Sequence, residues 1–248
     1  MKIYIDAGHR NSTWDRGAVS NGKYESPIAL DYAKELENQL KVQGITTYMS
    51  RNTEDDIITL QERTNKANAL GVDLYVSIHV NAAGEAYKGI ANGVEVLYYT
   101  DATLPTNICN AICTATGATN RGAKQRKDLH VLRCSTMQAI LIEVGFIDNA
   151  NEIEKVVTQQ YRQTVVTAIT NTICNDFNIS KTATAEIEST TIPTDNNTNT
   201  ILLNLNGNVK SVQGKIIDGV TIVKLKDLAD DKITISYEND MPTVTVTH

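Results

Sequence analysis

Histidine and carboxylate residues fall where an α/β fold would build a site. His9 and His79 each come just after the end of a predicted buried strand. The carboxyl ends of the strands form the edge at which such sheets bind ligands. Glu143 ends another buried run, and Glu25 lies in a loop immediately before a helix. These four residues are therefore the candidates for a chemical site.

Two imidazoles and one carboxylate, with a fourth position left open, are what a hydrolytic zinc site needs. A second carboxylate can then act as general base towards the water that attacks. Spacing alone leaves a second interpretation open, in which each strand-end histidine is a hydrogen-bonded structural residue.

Strand and helix patterns alternate as far as residue 178, which predicts an α/β domain with a mostly parallel sheet flanked by helices. Ser26 as N-cap and Pro27 at the next position predict a helix start, and Gly44 and Gly71 predict two helix ends. Buried strands are predicted at 3–5, 45–49, 74–78, 93–99 and 139–143, and the last helix runs through residues 161–177.

Composition changes near residue 181 and predicts a three-part organisation. Residues 1–180 form the catalytic domain, residues 181–200 are polar with no periodic apolar face and form a linker, and residues 201–248 form a small β-rich module. Turn signals separate short alternating runs in that module.

Several classes of function are excluded by composition. A net charge of −6 and a pI near 5.3 argue against a nucleic-acid partner held by phosphate contacts. No apolar run approaches the roughly 18 residues that span a bilayer, so membrane insertion is not expected. The N-terminus enters a strand pattern at once, which predicts synthesis in the cytoplasm without a signal peptide. Four scattered cysteines do not form a disulfide framework.

Four stretches together resemble the zinc-dependent N-acetylmuramoyl-L-alanine amidases of the amidase-3 type. The resemblance covers roughly residues 1–176, and Arg63, Asn68 and the run 129–133 also fall at family positions. The four stretches are Asp6-Ala7-Gly8-His9, Asn21-Gly22-Lys23-Tyr24-Glu25, Ser77-Ile78-His79-Val80-Asn81-Ala82 and Glu143-Val144-Gly145-Phe146-Ile147-Asp148-Asn149.

The resemblance implies roles for the four candidate residues. His9, Glu25 and His79 match the family's three zinc ligands, and Glu143 matches its catalytic glutamate. The implied reaction is hydrolysis of the amide between the lactyl group of N-acetylmuramic acid and the L-alanine of the stem peptide. Peptidoglycan of a Gram-positive cell wall is the implied partner.

The sequence departs from the family pattern around these motifs. Ala7 replaces a proline, Arg10 and Asn11 replace two glycines after the histidine, and Gln138 replaces a proline before the last strand. None of these changes removes a ligand or the base. We expect them to change the shape of the loop after His9, and therefore the substrate preference.

A basic stretch precedes the last strand and has two open interpretations. Its cations could bind stem-peptide carboxylates by charge-assisted hydrogen bonds, or they could belong to a solvated loop. The stretch contains Arg121, Lys124, Arg126, Lys127 and Arg133.

Residues 201–248 resemble the small domain first named from copper amine oxidase N-termini, in a shortened form. A wall-binding role would raise the effective concentration of the enzyme at an insoluble substrate. The alternative is a module for stability or for homodimer formation.

The complete arrangement resembles a phage endolysin, which acts on the cell wall after its release from the cytoplasm. A sporulation or mother-cell lysis amidase would use the same chemistry. Two rivals differ in chemistry: a zinc peptidase that cuts within stem peptides, and a wall-binding protein without catalysis.

Overall fold

The chain divides into two compact units, Met1–Ser180 and Lys181–His248. The structure is a computed structural model. It describes residues 1–10, 15–179, 199–205, 208–217, 220–223, 233–238 and 241–246.

A six-stranded sheet forms the centre of the first unit, in the order β4 (Thr46–Met49), β1 (Lys2–Ala7), β5 (Leu74–Asn81), β8 (Gln138–Phe146), β6 (Val94–Tyr98) and β7 (Asn120–Gln125). The strands β4, β1, β5 and β8 are parallel, β6 runs antiparallel to β8, and β7 is parallel to β6. The prediction of a mostly parallel sheet is therefore confirmed. A separate hairpin pairs β2 (Val19–Ser20) with β3 (Lys23–Tyr24).

Helices cover both faces of this sheet. Alternate residues of each strand face opposite sides, so Ile3 and Ile5 belong to the larger of two hydrophobic cores, while Tyr4 and Tyr75 belong to the smaller core on the other face. The helices are α1 (Glu25–Val42), α2 (Leu60–Leu70), α3 (Thr103–Thr116), α4 (His130–Arg133), α5 (Ala150–Val156) and α6 (Gln159–Asp176), with a 3-10 turn at Glu85–Tyr87.

Helix α1 begins at Glu25, so the prediction of Ser26 as its N-cap is wrong. The Ser26 hydroxyl donates to Glu54 and accepts from Arg51 instead of capping the helix. The Glu25 N–H is bound by the carbonyl of Ala18 at 3.0 Å, which fixes the first residue of the helix against the preceding loop. The predicted end of α2 is confirmed, because Gly71 adopts the left-handed conformation there.

The described residues of the second unit form two antiparallel groups of strands. β9 (Asn199–Leu205) and β11 (Val220–Val223) flank β10 (Asn208–Ile217), and β12 (Ile233–Glu238) pairs with β13 (Met241–Val246). Most of the predicted linker lies outside the described residues. The division at residues 181 and 201, the wall-binding role and the homodimer stay predictions.

Among the described residues, no helix combines the length and apolar character needed to cross a membrane.

A buried hydroxyl joins α1 to the end of α5. Tyr32 Oη donates to the carbonyl of Val156 at 2.8 Å, and this carbonyl belongs to the last turn of a helix, where no intrahelical donor is available.

We expect Tyr32→Phe to leave that buried oxygen unpaired and to lower the free energy of unfolding by about 1–2 kcal/mol. Chemical denaturation measures the change. Tyr87→Phe, at an exposed tyrosine, is the control; an equal effect of both variants would contradict this assignment.

Candidate metal and hydrolase site

Three predicted ligands converge at the carboxyl edge of the sheet. His9 follows β1, His79 lies in β5, and Glu25 is the first residue of α1. His9 Nε2 lies 3.3 Å from Glu25 Oε2, and His79 Nδ1 lies 2.8 Å from Glu25 Oε1. The possible ligand atoms of the three residues all lie within 4.8 Å of one another. Three separate segments of the chain thus form one cluster, in which Glu25 and His79 alone are 54 residues apart in the sequence.

Two buried arginines hold the loop that carries His9. Arg63 donates to the carbonyls of Ala7 and His9 at 2.7 Å each. Arg51 donates to the carbonyls of Ala7 at 3.1 Å and Gly8 at 2.9 Å. His9 has a φ of 58°, the left-handed region that costs a non-glycine residue roughly 1–2 kcal/mol. The hydrogen bonds to three successive carbonyls offset that cost and fix the direction of the His9 side chain.

Arg63 also forms a buried ion pair with Asp6 in β1. Both side chains are 2% exposed, and the Ser77 hydroxyl donates to the second Asp6 oxygen at 2.8 Å. Burial disfavours the charged carboxylate, but the guanidinium of Arg63 and the Ser77 hydroxyl outweigh it and hold the pKa of Asp6 below its usual value. The ionised pair therefore anchors the loop from beneath.

Glu25 is oriented by backbone donors as well as by the two imidazoles. Its Oε1 accepts from the N–H of Val80 at 3.1 Å, and its Oε2 accepts from the N–H of Ala18 at 2.8 Å. Burial would raise the pKa of Glu25, but hydrogen bonds from His79 and His9 lower it far below the usual value. The carboxylate is thus held in its ionised form.

Asp15 is a site residue that the sequence analysis missed. Its Oδ1 lies 2.6 Å from His9 Nδ1, so the other ring nitrogen, Nε2, faces Glu25. A carboxylate on the second nitrogen of a metal-binding histidine is the usual device that fixes ring orientation and tautomer. Asp15 has no strand or motif around it, and a loop carboxylate six residues after a histidine gives no periodic signal.

Two glycines leave room for the ligand side chains. A Cβ at Gly8 would lie 2.5 Å from the His79 ring, and a Cβ at Gly17 would lie 2.6 Å from both Glu25 Oε2 and the His9 ring. Gly17 also has a φ of 70°. The site therefore requires glycine at both positions, and the space they leave is filled by the three candidate ligands.

Glu143 occupies the strand next to His79. The register pairs Glu143 in β8 with His79 in β5 on one side and with Glu95 in β6 on the other. A β-bulge follows immediately, between the pairs His79–Glu143 and Asn81–Phe146. Bulges of this kind redirect side chains beside functional sites. His79, Glu143 and Glu95 thus form a row across three neighbouring strands.

The Glu143 carboxyl group lies in an environment that favours its protonated form. Its Oε2 is enclosed and has no hydrogen-bond partner among the described residues. Burial, followed by the negative charges of Glu25 and Glu95, raises the pKa of Glu143 well above its usual value. A buried polar atom without a partner is costly, which marks it as a functional candidate rather than a structural group.

Part of the basic stretch lies beside this row. Arg121 Nε and Lys124 Nζ in β7 donate to Glu95 Oε2 at 2.9 and 2.5 Å. These cations overcome the effect of burial and lower the pKa of Glu95. Arg126 pairs with Asp128 on the exposed surface at 2.7 Å. The stretch is therefore divided between a half-buried ion-pair cluster and a solvated turn.

Comparisons with known proteins identify the family. The family profile described as N-acetylmuramoyl-L-alanine amidase, Amidase_3, matches residues 3–175. The chain belongs to this amidase family. Its relatives include the N-acetylmuramoyl-L-alanine amidase CwlM of Bacillus licheniformis, 36% identical over 75% of this chain and 72% of the relative. The sporulation-specific N-acetylmuramoyl-L-alanine amidase of Bacillus subtilis is 35% identical over 75% of this chain and 71% of the relative.

A solved amidase structure supports the same conclusion. The N-acetylmuramoyl-L-alanine amidase of Clostridium difficile 630 superposes with a TM-score of 0.67 at 31% identity, covering 71% of this chain and 96% of that one. The relatives and structural neighbours are peptidoglycan hydrolases, so peptidoglycan hydrolysis is the function of the group to which this amidase belongs.

One departure of this amidase from the family pattern has a structural counterpart. The N–H of Ala7 donates to Ser50 Oγ at 3.1 Å, a hydrogen bond that the proline of the usual motif could not make. Of the two residues that replace glycines, Arg10 donates its N–H to the carbonyl of Asp15 at 2.9 Å, and Asn11 lies outside the described residues.

We expect Arg63→Leu to lower the free energy of unfolding by about 3–5 kcal/mol, because it leaves the Asp6 carboxylate buried without its partner. Asp6→Asn combined with Arg63→Leu should cost less than the sum of the two single changes. Chemical denaturation of the four proteins measures this coupling. Lys41→Ala breaks only an exposed ion pair with Glu37 and should change stability by less than about 1 kcal/mol. Strict additivity of the two buried changes would contradict the anchoring role.

Proposed function

We propose that the chain hydrolyses the amide between N-acetylmuramic acid and the L-alanine of the stem peptide, with a zinc ion held by His9, Glu25 and His79. In this proposal Glu143 is the residue that moves the proton. The observation that carries the proposal is the convergence of three ligand-type side chains beside a half-buried carboxyl group on the adjacent strand. Membership of the amidase family supports the substrate class.

The three side chains fit zinc. Two histidines and one carboxylate are a donor set that zinc uses in hydrolytic sites. Bonds of about 2.0–2.1 Å in a tetrahedral arrangement place neighbouring ligand atoms roughly 3.3 Å apart, and the two nearest separations here are 3.3 and 2.8 Å. The glycines at positions 8 and 17 leave the space in which the ligand side chains meet.

When bound, zinc would polarise the scissile carbonyl and make the attacking water more acidic. Glu143 takes a proton from that water as its oxygen bonds to the carbonyl carbon. The same carboxyl group then gives the proton to the alanine nitrogen as the carbon–nitrogen bond breaks. The products are a lactyl carboxylate and a stem peptide with a free amino group. A cation held by the three ligands would favour the ionised form of Glu143, which is the form that can take the proton from water.

The surrounding residues hold the ligands rather than react. Asp15 keeps His9 Nδ1 occupied, so that Nε2 is the atom available to a metal. The backbone N–H groups of Ala18 and Val80 each bind one oxygen of Glu25 and fix the carboxylate plane. This arrangement supports a preformed site in which the ligands need little reorganisation before they bind an ion.

The cell wall is the proposed place of action, and release as an endolysin is the proposed route. A sporulation-type amidase would carry the same residues and perform the same reaction. Wall binding by residues 201–248 would serve either setting by holding the catalytic unit at an insoluble substrate.

Glu143→Gln should retain one zinc per chain and lose about 10²–10⁴-fold in turnover, because the amide cannot accept the proton from water. Release of free alanine amino groups from purified peptidoglycan measures turnover, and metal analysis measures zinc. Glu154→Gln, at an exposed glutamate in α5, is the matched control and should behave as wild type. A fully active Glu143→Gln protein would show that another residue moves the proton.

Asp15→Asn should weaken zinc binding by about 10–100-fold, because the His9 ring loses the carboxylate that orients it. Competition against a coloured chelator measures the affinity without any activity assay. Asp31→Asn changes an exposed carboxyl group in α1 and should leave the affinity unchanged. Unaltered zinc affinity in the Asp15 variant would rule out the orienting role.

A further inference from the structure

A cavity of about 520 Å³ opens on the same side of the sheet, beyond Glu143. We call it the β6 cavity. Its lining combines apolar side chains with a few polar and charged groups, the usual character of a ligand site. The side chains that matter here are Asn81, Tyr87, Ile90, Glu95, Arg121 and Phe146.

The β6 cavity begins one strand away from Glu143. Glu95, part of its lining, is the direct neighbour of Glu143 across the β6–β8 pair, and Asn81 follows His79 by two residues in β5. Neighbouring strands are about 4.8 Å apart. The row from His79 through Glu143 to Glu95 therefore leads from the ligand cluster to the cavity over roughly 10 Å.

The proposed reaction fixes which part of the substrate lies on that side. The alanine nitrogen must come within hydrogen-bond reach of Glu143 to receive its proton. The peptide continues from that alanine, at up to about 3.5 Å per residue. Two further residues are thus enough to reach from Glu143 into the β6 cavity. The sugar is attached through the carbonyl carbon, on the opposite side of the breaking bond.

We propose that the β6 cavity binds the second and third residues of the stem peptide, on the leaving-group side of the scissile amide. This inference rests on the proposed amidase function. It assigns the peptide rather than the glycan strand to the cavity.

Arg121 supplies the recognition chemistry. Its Nε is held by Glu95 at 2.9 Å, its Nη1 by the carbonyl of Asn92 at 3.3 Å, and its guanidinium lies 4.8 Å from the centre of the Phe146 ring. Its Nη2 has no hydrogen-bond partner in the part of the chain that the structure describes. A fixed guanidinium with free donors is suited to a carboxylate or a carboxamide. The γ-linked acidic residue at the second stem position carries such a group.

The apolar side chains of the cavity are exposed, so a bound substrate could contact them. The side chains of Tyr87 and Ile90 are 66% and 68% exposed. Exposed apolar groups beside a reactive centre can be covered by the methylene groups of a substrate, which is favourable because it removes apolar surface from water. The diamino acid at the third stem position has a side chain of this kind.

The rim of the cavity is fixed in place without a ligand. The N–H of Ala83 donates to Asp148 Oδ2 at 3.0 Å, and Asn149 Nδ2 donates to the carbonyl of Ala91 at 3.1 Å. The N–H of Gly93 donates to Glu152 Oε1 at 2.7 Å. The segment between β5 and β6 is therefore tied at both ends to residues that follow β8, and little ordering is needed on binding.

Two substrates separate peptide recognition from chemistry. One is N-acetylmuramoyl-L-alanine, and the other is N-acetylmuramoyl-L-alanyl-γ-D-glutamyl-L-lysine. Wild-type kcat/KM should be at least about tenfold higher for the longer substrate, because contacts remote from the reacting bond lower its barrier. Equal values would overturn the β6 assignment and leave the amidase function intact. Failure to cleave the lactyl amide of either substrate would overturn the proposed function itself.

Ala82→Trp fills the cavity from its exposed rim. It should lower kcat/KM for the longer substrate by about tenfold or more and leave the shorter one within about twofold. Tyr87→Ala with Ile90→Ala, which only removes exposed side chains, should act in the same direction. The matched control is Ala86→Trp, an exposed alanine on the 3-10 turn Glu85–Tyr87 that does not line the cavity. Equal losses on both substrates would contradict the proposal.

Calorimetry with the free tripeptide L-alanyl-γ-D-glutamyl-L-lysine gives a readout besides activity. The full chain should bind it, Ala82→Trp should abolish binding, and Ala86→Trp should not. A disaccharide that contains muramic acid but no peptide is the second ligand. If Ala82→Trp lost binding to this disaccharide and kept binding to the tripeptide, the cavity would be assigned to the glycan and the proposal would be overturned.

Discussion

The site depends on the contact of two buried guanidinium groups with three successive backbone carbonyls. Arg51 and Arg63 bind the carbonyl oxygens of residues 7–9, and the charge of Arg63 is balanced by Asp6 in the strand below. Backbone carbonyls in a loop at the end of a buried strand have no ladder partners and must find donors. Here those donors also hold His9 in its left-handed conformation. The same interactions therefore satisfy the backbone and aim a functional side chain.

The parallel strands bring the rest of the site to that loop. His79 and Glu143 reach the same edge because β5 and β8 run in one direction and are paired in register. Glu95 joins the row from an antiparallel strand, and its neutralisation by Arg121 and Lys124 allows two glutamates to lie side by side. Among the described residues, no cation forms an ion pair with Glu143, and burial together with the charges of Glu25 and Glu95 raises the pKa of its carboxyl group. The energetic cost of an enclosed carboxyl group without a partner thus falls on the residue that is proposed to transfer the proton.

The positions of the candidate residues could be predicted from the sequence, because each lies in or beside an element with a strong local signal; their roles as ligands and base came from the resemblance to the amidase family. His79 and Glu143 end apolar runs, and Glu25 precedes a strongly periodic helix. Arg51, Asp15 and Glu95 were not found, since their roles arise from contacts between segments that are distant in the sequence. The antiparallel direction of β6 was not predicted either, because the apolar pattern of a buried strand does not show in which direction the strand runs within the sheet. The Ser26 cap was wrong because Arg51 and Glu54 compete for its hydroxyl.

Mass spectrometry of digested peptidoglycan tests the central claim most directly. The full chain is stripped of metal by a chelator, freed of chelator, and then assayed with and without added zinc on purified Gram-positive peptidoglycan. The account predicts intact lactyl amides without metal, and stem peptides with a free alanine amino group when zinc is restored. Cleavage only within the stem peptides would indicate a peptidase. Release of the alanine amino group at full rate by the metal-free chain would contradict the zinc site formed by His9, Glu25 and His79.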